Sequence, residues 1–311
     1  HETELVLEPA TQSKRIAVVG AGPAGLACAT AAAERGHEVT LFEAGDAIGG
    51  QLLLARKVPG KQEFDETLRY YGVRLAETGV DVRLNSPVAA ADLVDAGFDE
   101  VVVATGVTPR IPEIPGVDHA SVVSYLEVLR DGAPVGTNVA ILGAGGIGFD
   151  IAEYLTAEGE DTSQDAAAFF AKWGVDTEYS HEGGLRAPEP EAPTRNVTLL
   201  QRKTSKVGAG LGKTTGWIHR AELAKRGVVM LPGASYIGID DAGLHLRVDN
   251  EEETMDVDTI VLCTGQEPRR DLYDDLVTAG ASPHLIGGAD IAAELDAKRA
   301  IDQGTRLAAR L

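Results

Sequence analysis

At 311 residues the chain is long enough for two ordinary domains, each with its own core. A hydrophobic share of 44% and a charged share of 24% belong to a soluble globular protein. The net charge of -20 argues against nucleic acid or an anionic membrane as partner, since both need a basic footprint. No apolar run approaches the roughly 18 residues of a membrane span. The two cysteines, Cys28 and Cys263, form no Cys-x-x-Cys pair and show no metal-ligand spacing. They read as small buried hydrophobes, so no metal site is expected. The amino terminus lacks both Met and a signal-peptide pattern, so we expect His1 to open a piece of a longer, cytoplasmic protein.

In chain order, residues 1–13 read as a polar arm. Ile16-Ala17-Val18-Val19 then reads as a buried parallel strand, followed by a glycine loop, an Ala-rich helix to about Arg35 and the strand Val39–Phe42. An amphipathic helix is predicted from about Phe64 to Glu77, short strands at Val80–Leu84 and Val88, and a buried strand at Glu100–Ala104. Pro109, Pro112 and Pro115 mark a domain boundary near 107–118. A second unit starts at Asn138–Leu142, with another glycine loop and a helix to about Leu155. Its answering strand, Val197–Leu200, is delayed by an insertion at 157–196 that holds a short helix, Gln164–Trp173, and an irregular stretch with Pro188, Pro190 and Pro193. A helix at Ile218–Lys225, strands at Val228–Leu231, Tyr236–Asp240, Leu244–Val248 and Thr259–Cys263, and a last helix to Leu311 complete the pattern.

Both glycine loops stand between a strand and a helix, the context in which such loops bind dinucleotides. In the first, Gly20 permits the tight turn, Gly22 lets a pyrophosphate approach, and Gly25 allows close helix packing beside Ala24. Its second strand ends at Glu43, an acid suited to a ribose hydroxyl pair. Further positions resemble those of flavoproteins of the disulfide-reductase type, and the resemblance implies that Gly50 and Gln51 extend the site along FAD and that Asp290 closes it, with Val88 and Gly265 completing the candidate FAD set. On the residues alone, Gly50 and Gln51 form a simple turn and Asp290 a helix cap. In the second loop Gly143, Gly145, Ile147 and Gly148 repeat the pattern, but the answering strand ends in Gln201-Arg202-Lys203 with Lys206 nearby. A basic cluster there suits a 2′-phosphate, or else is a solvated turn; NADPH is the expected ligand. Lys213–Arg220 opens a helix or reaches the nicotinamide, and the run Gly208–Lys213 lacks the spacing of a nucleoside-triphosphate loop.

Several stretches carry a resemblance over nearly the whole chain. They are Val18–Leu26, Ile48-Gly49-Gly50-Gln51, Gly143–Asp150, Gln201-Arg202-Lys203, Gly210–Arg220, Leu285–Ala293 and Glu294–Arg299. Together they resemble the carboxy-terminal part of bacterial NADPH-dependent 2,4-dienoyl-CoA reductases, of the NADH:flavin oxidoreductase and trimethylamine-dehydrogenase type. Gly-Lys-Thr-Thr-Gly-Trp-Ile-His-Arg is the narrowest of these motifs. The resemblance implies an α/β fold of two Rossmann-like domains of the disulfide-reductase flavoprotein type. The FAD domain would be built from 14–113 and 264–311, with an NADPH domain, 114–263, inserted in it. It also implies a partner portion of the same enzyme, an amino-terminal FMN barrel and a 4Fe–4S segment, whose last cluster cysteine would lie just before His1-Glu2-Thr3-Glu4.

Hydride would pass from NADPH to FAD, with no general acid or base assigned in this chain, and electrons would leave for the partner portion. A thioredoxin-reductase-like activity would need a Cys-x-x-Cys pair that the chain lacks. A non-catalytic ADP-binding module, as in amine-dehydrogenase relatives, and a stand-alone NAD(P)H:acceptor flavin reductase are the alternative readings.

Overall fold

The chain begins with β1 (Arg15–Val19), α1 (Pro23–Glu34) and β2 (Glu38–Phe42). It continues through α2 (Leu52–Ala55), α3 (Phe64–Thr78), β3 (Asp81–Arg83), α4 (Ala90–Asp95), β4 (Glu100–Val103) and β5 (Val107–Pro109). Then come β6 (Val122–Ser124), β7 (Asn138–Leu142), α5 (Gly146–Thr156), α6 (Ala166–Trp173), β8 (Asn196–Leu200), α7 (Gly216–Lys225) and β9 (Val229–Leu231). The strands β10 (Ser235–Asp240), β11 (Gly243–Val248), β12 (Glu251–Met255) and β13 (Thr259–Leu262) follow. The chain closes with β14 (Gln266–Pro268), α8 (Asp271–Thr278), β15 (His284–Leu285) and α9 (Ala297–Ala308). The structure, a computed structural model, describes residues 4–157, 162–189, 192–293 and 296–311. The readings that fall on His1–Thr3, Pro190 and Glu294-Leu295 lie outside the described residues.

The chain divides into two compact units. One comprises the chain up to Arg56, Glu63–Thr108 and Gln266–Leu311; the other comprises Lys57–Gln62 and Pro109–Gly265. Each is an α/β unit built on a five-stranded parallel sheet, in the order β15-β4-β1-β2-β3 in the first and β6-β13-β7-β8-β9 in the second. The central strands are continuous apolar runs because both sheet faces are covered. In the first unit Ile16, Val18 and Leu41 pack with α1 and α9 on one face. Ala17, Val19 and Phe42 pack with Leu93 of α4 and Leu276 of α8 on the other. In the second unit the antiparallel strands β10-β11-β12 contribute Leu244 and Leu246 to a core shared with Ala140, Leu200 and Ile260.

Some elements depart from the sequence expectations. Val88 lies in no strand and leads instead into α4. The two helices α4 and α8 and the strand β12 were not expected; β12 begins with three consecutive glutamates and is held by pairing with β11 rather than by burial. Residues 57–62, which the sequence assigns to the FAD domain, cluster with the second unit, where Lys57 Nζ donates to the Leu129 carbonyl and Lys61 pairs with Asp150. The described part of the amino-terminal arm is tied down: Leu7 packs on the first core, and Ala10 N donates to the Arg35 carbonyl at 2.8 Å. Among the described residues no helix is long and apolar enough to cross a membrane.

Candidate functional site

β1 runs into Gly20, whose φ is +106°; a Cβ there would stand 2.4 Å from the Ala104 carbonyl oxygen. Only glycine meets both constraints. Gly25 lies in the first turn of α1, where a Cβ would stand 1.8 Å from the Gly20 carbonyl oxygen, so the helix packs directly on the turn. Gly22, the residue before α1, faces open space, and no side chain caps the helix. The first amides of α1 therefore keep their donor capacity and a positive dipole end for an anion.

The other first-unit candidates gather around this loop. Glu43 accepts from Ala21 N through Oε2 and from Gly45 N through Oε1, both at 2.8 Å. A carboxylate has about four acceptor positions, so the loop orients Glu43 while leaving capacity for ribose hydroxyls. Gly50, at φ +53°, comes so close that a Cβ would stand 2.9 Å from Gly22 Cα, and Gly49 N donates to the Ala21 carbonyl at 2.7 Å. Gln51 follows, half-buried, at the start of α2.

The turn before Asp290 rests on Ala24, where a Gly287 Cβ would stand 2.7 Å from the alanine methyl. Asp290 does not cap the last helix, as one reading had it. Asp296 does, accepting from Arg299 N at 2.7 Å, because α9 starts at Ala297. Asp290 is held instead by Gln303 Nε2, at 2.6 Å. Val88 packs on the sheet face opposite α1 and lines a cavity of about 540 Å³ with Thr40, Phe42 and Leu93. Gly265 belongs to the second unit, where its carbonyl accepts from Arg110 N at 3.0 Å.

The second unit repeats the geometry. Gly143 has φ +112°, and a Cβ there would stand 2.2 Å from the Cys263 carbonyl oxygen. A Gly148 Cβ would stand 1.9 Å from the Gly143 carbonyl oxygen. Gly145 and Gly146 face open space, Ile147 is half-buried in the first turn, and α5 carries no side-chain cap. Past the end of β8, Arg202, Lys203 and Lys206 are all exposed. Burial pushes both cysteine thiols up, Cys28 to about 12, which leaves them inert.

Sequence reasoning missed a charged cluster beside the second loop. Lys61 Nζ lies 2.5 Å from Asp150 Oδ1, joining residues 89 positions apart. On the next turn of α5 the buried Glu153 binds His219 Nδ1 at 2.6 Å, and that hydrogen bond raises the imidazole above its ordinary value. His219 lies in the Lys213–Arg220 stretch, which does open α7. Its neighbours there are structural: a Gly216 Cβ would stand 2.7 Å from Leu211 Cβ, and Arg220 donates to the Gly208 carbonyl at 3.0 Å. No local periodicity marks Lys61, and only the positions of Asp150 and His219 inside quoted motifs could have drawn notice.

Two strand–glycine loop–helix units on parallel sheets define an α/β protein of the Rossmann-like, disulfide-reductase type. The sequence profile of the pyridine nucleotide-disulphide oxidoreductases matches residues 14–282, and the chain belongs to that family. It is a family of flavoprotein oxidoreductases that use FAD and a nicotinamide nucleotide. The chain is similar to a metal reductase of Desulforamulus reducens, 30% identical over 93% of this chain and 43% of that protein. A cinnamate reductase of Clostridium sporogenes is 28% identical over 93% of this chain and 38% of its own length. Among solved structures, a 2-naphthoyl-CoA reductase in complex with 2-naphthoyl-CoA superposes with a TM-score of 0.82 at 26% identity, over 99% of this chain and 41% of that one. The chain thus spans less than half the length of each of these three relatives.

Both nucleotides fit what the residues offer. The first loop has a cradle between Gly22 and Gly50 that a Cβ would fill, an uncapped helix and an oriented carboxylate. The second has open glycines, an uncapped helix and basic side chains.

Proposed function

We propose that this chain is the electron-input portion of a multi-cofactor reductase, holding FAD on the Gly20–Gly25 loop and NADPH on the Gly143–Gly148 loop. The observation that carries the reading is the repetition of one loop geometry with opposite charge at the tip of the following strand: Glu43 after β2, Arg202 and Lys203 after β8. Glu43 accepts from ribose hydroxyls and would repel a 2′-phosphate. Arg202, Lys203 and Lys206 attract one, the guanidinium through paired N–H donors. The two sites would hold NADPH as hydride donor and FAD as hydride acceptor.

The chain's own work is positioning. The uncapped amino termini of α1 and α5 would bind the pyrophosphates, and Gln303 Nε2 fixes the Asp290 carboxylate, which would help hold the FAD. The Lys61–Asp150 and His219–Glu153 pairs brace α5 behind its loop. No side chain of this chain is assigned as a proton donor or acceptor. The Gly210–Arg220 resemblance and the similarity to a cinnamate reductase and a 2-naphthoyl-CoA reductase support a whole protein of the 2,4-dienoyl-CoA reductase kind. Its substrate-reducing FMN and iron–sulfur portion would then lie outside these residues.

The test is reconstitution. The purified chain should take up one FAD, turn yellow and be bleached by NADPH in the absence of oxygen. A chain that stays colourless with excess FAD refutes the proposal in favour of an ADP-binding module. Exchanging Arg202 and Lys203 for alanine should weaken NADPH by about 100-fold or more while leaving NADH within about two-fold, since each of the two charge-assisted bonds contributes about 1.5 kcal/mol or more. Equal losses for the two nucleotides would remove the 2′-phosphate assignment.

A further inference from the structure

The basic residues after β8 stand on a turn with little backbone bonding of its own. From Gln201 to Ser205 the chain forms neither helix nor strand. What holds it is one side chain together with one backbone amide from outside the turn. Gln201 Nε2 donates to the Lys203 carbonyl at 2.9 Å and to the Ser205 carbonyl at 2.7 Å. The Gln201 backbone is itself locked: its N–H donates to the Leu231 carbonyl at 2.9 Å, and its carbonyl accepts from Ala234 N at 3.0 Å. Gly233 N adds a second bond to the Lys203 carbonyl, also at 3.0 Å. A primary amide has two N–H donors, and here each has a separate carbonyl. The result is a rigid post at the strand end from which the turn carrying Arg202 and Lys203 is hung.

The side chains of Arg202, Lys203 and Lys206 on that turn are exposed, and none is ion-paired with a carboxylate among the described residues. In a chain of net charge -20, three unpaired cations within five residues are a site for an anion. Spread over a loose turn, such cations would attract any anion weakly. Held in one arrangement, they favour a ligand whose phosphate lies at one fixed place.

We propose that Gln201 is a positioning residue for nucleotide selection: its two amide hydrogen bonds shape the 202–206 turn so that its cations meet a 2′-phosphate. The inference rests on the proposed NADPH site and goes further, because it places part of the selectivity in a residue that does not touch the ligand.

The test measures binding by calorimetry, with adenosine 2′,5′-bisphosphate and ADP as probes, on the FAD-loaded chain. Gln201→Met keeps the side-chain length and removes both donors. It should weaken the bisphosphate about ten-fold while leaving ADP within about two-fold, as expected for the loss of two neutral hydrogen bonds that order the turn. If that variant does not fold, Gln201→Asn takes its place; its shorter amide reaches one carbonyl, and its bisphosphate-to-ADP ratio should fall by about three-fold. An unchanged ratio, or equal losses for both probes, overturns the role of Gln201. The Arg202→Ala, Lys203→Ala double variant separates this outcome from failure of the site itself. If that variant loses selectivity while Gln201→Met keeps it, the NADPH site stands and only Gln201 is acquitted. If the unaltered chain shows no preference for the bisphosphate, both proposals fall.

Discussion

Glu43 and His219 show what a residue's identity reveals and what it conceals. An acid at the end of the second strand is legible as a ribose-binding group because loop, spacing and charge are all local. That its carboxylate is oriented by Ala21 N and Gly45 N follows only from the folded loop. His219 is further out of reach, since its partner Glu153 lies 66 residues away on another helix. That pairing has a measurable consequence. The Glu153 hydrogen bond first, and the charges of Glu153 and Asp150 with it, raise the imidazole above its ordinary value near 6.5, against burial and the Lys61 charge. A histidine that binds its proton more tightly when folded contributes stability that is fully present below the unfolded value and is lost as pH rises through the folded one. The thermal midpoint of the unaltered chain should therefore exceed that of His219→Gln most at about pH 5.5, with the gap narrowing toward about pH 8.5. A gap that widens with pH would contradict the pairing. His37 works with the opposite sign. Burial first, with Arg35 and Lys14 nearby, lowers its pKa, so it costs stability as pH falls below the ordinary imidazole range.

Elements were legible where one pattern ran long enough. The apolar runs of β1, β2, β7 and β13 and the helices beginning at the glycine loops are read almost to the residue. β12 escaped because Glu251-Glu252-Glu253 looks like a solvated run, yet a signal was present. Asp249 and Asn250 both adopt positive φ, +51° and +68°, and join β11 to β12 in the two-residue hairpin that Asn and Asp favour. The last helix shows a different limit. α9 lies against α1 through Gly304, where a Cβ would stand 2.3 Å from the Ala24 carbonyl oxygen. Alanine is the better helix former by about 1 kcal/mol, so a surface position would gain from Gly304→Ala. Here the added methyl meets the backbone of the helix that carries the first glycine loop, which cannot swing aside. Overpacking of this kind costs about 1–3 kcal/mol and outweighs the propensity gain. Gly304→Ala should therefore lower the thermal midpoint by about 3 °C or more and weaken FAD retention. A variant as stable as the unaltered chain would show that α9 and α1 are not in this contact.

At the scale of the whole molecule, each unit has described apolar clusters of its own. The clusters around Ile16 and Ala17 draw only on the first unit, and the cluster around Ala140 and Leu200 only on the second. The sequence shows this as two glycine loops, each at the head of its own apolar strand set, but not the excursion of residues 57–62, which rests on Lys57 and Lys61 finding partners over 70 positions away. The two tryptophans, Trp173 and Trp217, both lie in the second unit, so intrinsic indole fluorescence reports on that unit alone. Flavin bound at the first loop would report on the other. A ligand held only by the folded state stabilises what it binds by about 2.7 kcal/mol at 100 times its dissociation constant. Saturating adenosine 2′,5′-bisphosphate should thus raise the tryptophan-reported midpoint by several degrees while moving the flavin-release midpoint less. FAD should do the reverse. Equal shifts of both signals by either ligand would mean that the chain unfolds as one cooperative block, and the assignment of one nucleotide to each core would then have to rest on binding stoichiometry instead.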